Sequence, residues 1–153
     1  MEFLLFLTAR ENEILELINK AGFSLEENTP LCLMGKRYVG FVKRRQKAVV
    51  ICTENIKEFN GYSINKTRGF NDRTAISIRK AIRHEATHVA QYCNKSKPLG
   101  VISSKKRVHE WYKKAAIEGS TRVGDTIREK EHEAYYMEDR PKEVISILKK
   151  YCL

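Results

Sequence analysis

The sequence predicts an α+β fold: one helix, then a small sheet, then a helical half. Three observations predict it. Apolar residues recur at helical spacing near the N-terminus, two β-rich runs follow between positions 37 and 52, and helical patterning dominates from Asn71 onward. With 153 residues, no internal repeat and no Gly/Ser/Pro-rich linker, residues 1–153 read as a single domain.

Each element has a local reason. Met1 to Thr8 is a short apolar segment suited to a core. From Ala9 to Ala21, Ile14, Leu15, Leu17 and Ile18 fall on one helical face, and Gly22 stands where a C-cap belongs. Arg37–Lys43 and Ala48–Cys52 are β-rich runs joined by the basic turn Arg44-Arg45-Gln46, and Gly61–Asn65 reads as a third, edge strand. Asn71 or Asp72 caps a long helix to about Cys93, broken by Lys97-Pro98-Leu99-Gly100. Further helices are predicted over about 104–117, from Ser120 or Thr121 to Glu138, and from Pro141 to Tyr151, where proline suits the first turn.

Composition narrows the class. Apolar residues make up 42% and aromatics 9%, which excludes a disordered chain despite 31% charged residues. No apolar run approaches the ~20 residues of a membrane span, and the N-terminus carries an acid where a secretory signal needs a base. A cytoplasmic location and no membrane partner are therefore expected. Twenty-nine basic against 19 acidic residues give a net charge of +10, which suits acidic partners. Cys32, Cys52, Cys93 and Cys152 are scattered without metal-clip spacing and read as buried reduced thiols.

The long helix contains His84-Glu85-Ala86-Thr87-His88, a complete H-E-x-x-H. Histidines four apart project from one helical face, so both imidazoles can reach one Zn²⁺ at about 2.0–2.1 Å. The intervening glutamate stands at a neighbouring angle, free to accept a proton from a water that the metal activates. Ala75, Ile78, Ile82, Ala86, Val89 and Cys93 form an apolar stripe, with His84, His88 and Gln91 on the other side. A helix buried on one side with histidines on the other is suited to face a cleft.

A catalytic zinc takes three protein ligands and leaves one position open. The richest source of a third ligand is Arg128–Tyr136. There the phase Val123, Ile127, Ala134, Tyr135 has a gap that Glu131 fills, and a carboxylate on an inward stripe needs a partner. His109, beside Trp111 and Tyr112, reads as a packing or surface histidine. Tyr112, Tyr135 and Tyr136 are candidate donors to a developing oxyanion, and Arg79-Lys80 reads as a solvated face.

H-E-x-x-H followed on a later helix by E-x-x-A resembles the gluzincin metallopeptidases, including the small minigluzincins, over about residues 38–151. The resemblance implies a zincin-like fold, with a small twisted, mostly antiparallel sheet packed on the zinc-binding helix and an edge strand holding an extended substrate. It also implies zinc on His84, His88 and Glu131, with Glu85 as general base. Glu133 and then His132 are the alternative third ligands. Where many gluzincins carry an aspartate that orients the first histidine, this chain has Tyr135.

The function expected is that of a zinc-dependent metallopeptidase, a hydrolase that cleaves amide bonds in a peptide or protein substrate, with an acidic one suited to the charge. The alternative is a catalytically inactive, zinc-stabilised regulatory or binding module whose basic surface meets nucleic acid or an acidic protein; nucleic acid ranks behind peptide. The apolar N-terminal helix is expected either to pack on the sheet or to occupy the cleft.

Overall fold

The computed structural model describes residues 1–60, 73–102 and 125–153. Within them lie α1 (Ala9–Lys20), β1 (Ser24–Glu27), β2 (Gly40–Lys43), β3 (Ala48–Ile51), α2 (Thr53–Phe59), α3 (Arg73–Cys93), α4 (Asp125–Met137) and α5 (Pro141–Cys152). Short 3₁₀ helices span Glu2–Phe6 and Pro30–Met34. The α+β class is as expected. The strand expected at 61–65, the helix expected over 104–117 and the start of the helix that ends near Glu138 lie outside the described residues.

The sheet is mixed rather than mostly antiparallel. β3 lies in the middle, antiparallel to β2 and parallel to β1. β1 escapes a hydrophobicity reading because Ser24-Leu25-Glu26-Glu27 is mostly polar. Its acids are instead used by neighbours. Glu26 takes the Lys43 ammonium at 2.8 Å, and Glu27 accepts the backbone N–H groups of Glu2 and Phe3 and the Thr53 hydroxyl at 3.0, 2.9 and 2.7 Å. The Arg44–Lys47 turn between β2 and β3 closes with Lys47 at φ 49°, a left-handed conformation usually given to Gly or Asn.

α1 ends as the pattern predicts. Gly22, at φ 89°, donates to Asn19 O, and Phe23 donates to Ile18 O, which together form a Schellman motif. The helix packs against α3 and α5, and contributes no residue to the lining of the cleft described below. Its buried Glu11 holds Arg83 at 3.3 Å and Arg79 at 3.9 Å. Arg79 also donates to Phe6 O, so it is not the solvated residue expected: its partner is an acid 68 positions away. The larger of two buried clusters among the described residues joins Ile14, Ile18, Ile78, Ile82, Val89, Met137, Val144 and Leu148 around α3.

The cysteines correct the sequence reading. Cys32–Cys52 and Cys93–Cys152 are disulfides, not reduced thiols. The partners are 20 and 59 positions apart, a separation that hides the pairing from any local pattern. One ties the loop before β2 to the end of β3; the other ties the end of α3 to the C-terminal helix. On loop-closure entropy they are worth roughly 3 and 4 kcal/mol.

Two outcomes follow. Reduction, or Cys93→Ser with Cys152→Ser, should lower the melting temperature by several degrees, while alkylation of unreduced, denatured protein should label no cysteine. Glu27 is a carboxylate whose burial would raise its pKa, but the Thr53 hydroxyl and two backbone N–H groups outweigh that and hold it below 4.5. Its stabilisation is therefore complete above pH 4.5 and lost as pH falls through the lower folded-state value. Glu27→Gln should be less stable than wild type at pH 7, by about 1–3 kcal/mol, with the difference closing as pH falls through the lowered folded-state value.

Candidate metal centre

α3 carries the apolar stripe expected, with Ala75, Ile78, Ile82, Ala86 and Val89 all at most 1% exposed. Its other side is covered as well, because α4 lies across it. His84 is 7% exposed, Glu85 3% and Gln91 1%. Buried polar groups of this kind need partners, and α4 supplies them.

Glu131 reaches between the two histidines. Its Oε2 lies 3.3 Å from His84 Nε2 and its Oε1 lies 2.8 Å from His88 Nε2, while the two Nε2 atoms are 3.3 Å apart. Ligands at about 2.0–2.1 Å in a tetrahedron stand about 3.4 Å from one another, close to the two 3.3 Å separations here, while the His88–Glu131 contact at 2.8 Å is shorter. His84, His88 and Glu131 are the group that could hold a metal ion among the described residues.

The outer shell is built from two different groups. His84 Nδ1 is 3.0 Å from Glu138 Oε1, and His88 Nδ1 is 2.8 Å from Gln91 Oε1. Such contacts fix the ring orientation and leave Nε2 facing the point that a metal ion could occupy. Glu138 fills the orienting role for which Tyr135 is unsuited. Sequence reasoning missed it, although the signal is present: Glu131, Tyr135 and Glu138 stand at i, i+4 and i+7, one face over two turns. Tyr135 packs edge-on against His84, with centroids 4.7 Å apart.

Glu133 is a structural acid. It accepts from Gln91 Nε2 at 2.9 Å and from the backbone N–H groups of Leu99, Gly100 and Val101 at 2.8, 2.7 and 3.2 Å. It therefore holds Gln91, and through it His88, while closing the loop after α3. His132 lies outside the metal-binding trio, and Tyr136 packs under the Arg140 guanidinium. His109 and Tyr112 lie outside the described residues.

The electrostatics follow from this packing. Burial alone would raise the Glu131 pKa, but hydrogen bonds with His84 and His88 outweigh it and hold the carboxyl well below its usual range. Burial opposes charge on His84, yet Glu131 and Glu138 lift its pKa well above the ordinary value. Burial pushes Glu85 up, against the lowering pull of the two histidines. A cation between the imidazoles replaces the protons that this cluster otherwise attracts.

The centre opens onto a cleft of about 360 Å³ whose lining includes Glu85, Tyr135 and the segment Arg37–Val42. β2 forms one wall and is an edge strand among the described strands. Gly40 lets it approach α3: a Cβ there would lie 2.8 Å from Val50 O and 3.2 Å from Glu85 Cγ.

A family model matches residues 3–153, nearly the whole chain. The protein belongs to the family described as a domain of unknown function (DUF8637). No curated protein and no solved structure matches this family member significantly.

Purified protein should take up one divalent metal per chain, measured by elemental analysis, and Glu131→Ala should lose it. Glu138→Ala should bind metal about 10–100-fold more weakly. Glu133→Gln should keep the metal but melt earlier. Uptake should release protons and weaken on acidification, because the imidazoles must be neutral to bind.

Proposed function

We propose that this protein is a zinc-dependent metallopeptidase of gluzincin type, hydrolysing amide bonds in peptides that lie along β2. The carrying observation is the placement, in one cleft, of the His84–His88–Glu131 trio, the buried carboxylate of Glu85 and a sheet edge. Two imidazoles and a carboxylate with room for a further ligand suit a catalytic zinc better than a closed structural one.

Zinc, when bound, supplies a Lewis acid that polarises a carbonyl and makes water more acidic. The chain's own residues do the rest. Glu85 takes a proton from the attacking water and delivers it to the leaving amine. Tyr135, on the cleft wall, is placed to donate to the oxyanion that develops. The outward N–H and C=O groups of β2 hold the substrate extended, as an added strand. Gly40 keeps that strand close to Glu85.

Among the described residues no helix is long and apolar enough to cross a membrane. The cytoplasmic location expected from the sequence has to accommodate two disulfides, so we place the enzyme where disulfides persist: an oxidising compartment or a disulfide-tolerant cytoplasm.

Glu85→Gln should keep stoichiometric zinc and lose roughly 10²–10⁴-fold in peptide hydrolysis. Full activity in that variant, measured by mass spectrometry of a peptide mixture, would remove Glu85 from the mechanism. Gly40→Ala should likewise retain zinc but lose turnover, because the strand or Glu85 must shift.

A further inference from the structure

The chain has basic pairs at both ends of β2, Lys36-Arg37 before it and Lys43-Arg44 after it. In each pair the lysine has an acidic neighbour: Lys36 lies 3.6 Å from Glu58 on the exposed surface and Lys43 2.8 Å from Glu26. The arginine of each pair lines the cleft instead, together with His84, Glu85, His88 and Glu131. Among the described residues, neither Arg37 nor Arg44 has an acidic partner within ion-pair distance.

Both arginines stand on braced backbone. The loop carrying Arg37 is held by Asn55, whose buried amide donates to Cys32 O, Gly35 O and Tyr38 O at 2.8, 3.1 and 3.0 Å. The Cys32–Cys52 disulfide and the Cys52 N–H to Val39 O bond tie the same loop to β3. Arg44 begins the tight turn closed by its own carbonyl and Lys47 N. A third cation, Lys130 of α4, lies close enough to Arg44 to feel its charge. An exposed arginine on a fixed backbone needs little ordering to meet a carboxylate and can bind it through two parallel N–H groups.

Resting on the peptidase reading above, we infer that the cleft selects peptides with acidic side chains on both sides of the bond cleaved, one carboxylate meeting Arg37 and the other Arg44. Gly40, beside Glu85, lies between the two arginines along the strand, so the reacting position falls between the two charges. An extended segment of about eight residues spans the distance at about 3.3 Å per residue.

The test uses fluorescent ten-residue peptides, identical except that glutamates on both sides of a central apolar pair are replaced by glutamines or by lysines. Binding is read by anisotropy on zinc-loaded Glu85→Gln protein, and cleavage is read separately on wild type. The glutamate peptide should bind roughly 10–100-fold tighter than the glutamine peptide, with the advantage shrinking as salt rises. Arg37→Gln and Arg44→Gln should each remove part of that advantage and together abolish it, with zinc content and circular dichroism unchanged. Arg37→Glu with Arg44→Glu should shift preference to the lysine peptide. Lys20→Gln, at the remote end of α1, should change nothing, which separates the cleft from the general basic charge.

Equal binding of the glutamate and glutamine peptides, or an acidic preference that survives in the double variant, would overturn the inference. If wild type still cleaved those peptides, the peptidase reading would stand. No binding and no cleavage of any peptide would overturn both.

Discussion

The contact between α3 and α4 is polar at its centre, and the rest of the molecule is arranged around that constraint. His84, His88 and Gln91 lie on the side of α3 that α4 covers, so each must find a partner across the interface. Glu131, Glu133 and Glu138 provide them, each for a different atom. A shift of one residue along α4 would leave carboxylates facing apolar stripe and imidazoles facing nothing, at several kcal/mol for each uncompensated charge. The network therefore sets the register of two helices as well as the geometry of a metal site. It also explains why Glu133 cannot serve as a ligand: the loop at Leu99–Val101 and Gln91 use both of its oxygens.

Rigidity on the opposite side of α3 supports this arrangement. Glu11 of α1 holds Arg83, the residue immediately before His84, and the Arg83 guanidinium also donates to the Glu138 carbonyl. One guanidinium thus links the N-terminal helix, the start of the motif and the residue that orients His84. The Cys93–Cys152 bridge fixes the far end of α3 against α5. Ligands held by packed helices at both ends lose little entropy when a metal arrives.

The legible parts of the sequence were those with local causes. The α1 stripe and its Gly22 cap, the β2–β3 hairpin, the α3 stripe with its H-E-x-x-H, and proline at the start of α5 each depend on neighbours a few residues away. Glu131 was legible too, because an acid filled a gap in an apolar phase. What escaped depends on distant partners. β1 is a strand because β3 pairs with it and because its acids meet Lys43, Thr53 and the N-terminus. The short α2 follows Cys52 directly, where β-rich patterning conceals a helix start. The disulfides join residues that no spacing rule connects. Glu138 stands at the seventh position after Glu131, but a motif centred on the fourth position draws attention to Tyr135.

That last displacement carries a chemical consequence. A carboxylate four residues after the third ligand would sit one turn along and reach the same histidine. In this chain Glu138 reaches His84 Nδ1 at 3.0 Å, because the i+7 position returns to the face that carries Glu131. The i+4 position holds Tyr135, whose ring packs against His84 and which lines the cleft. Tyr135 therefore lies beside the candidate metal site, against the imidazole that Glu138 contacts. Glu131 and Tyr135 of α4, and Glu138 in the turn directly after it, thus all meet the same imidazole of α3.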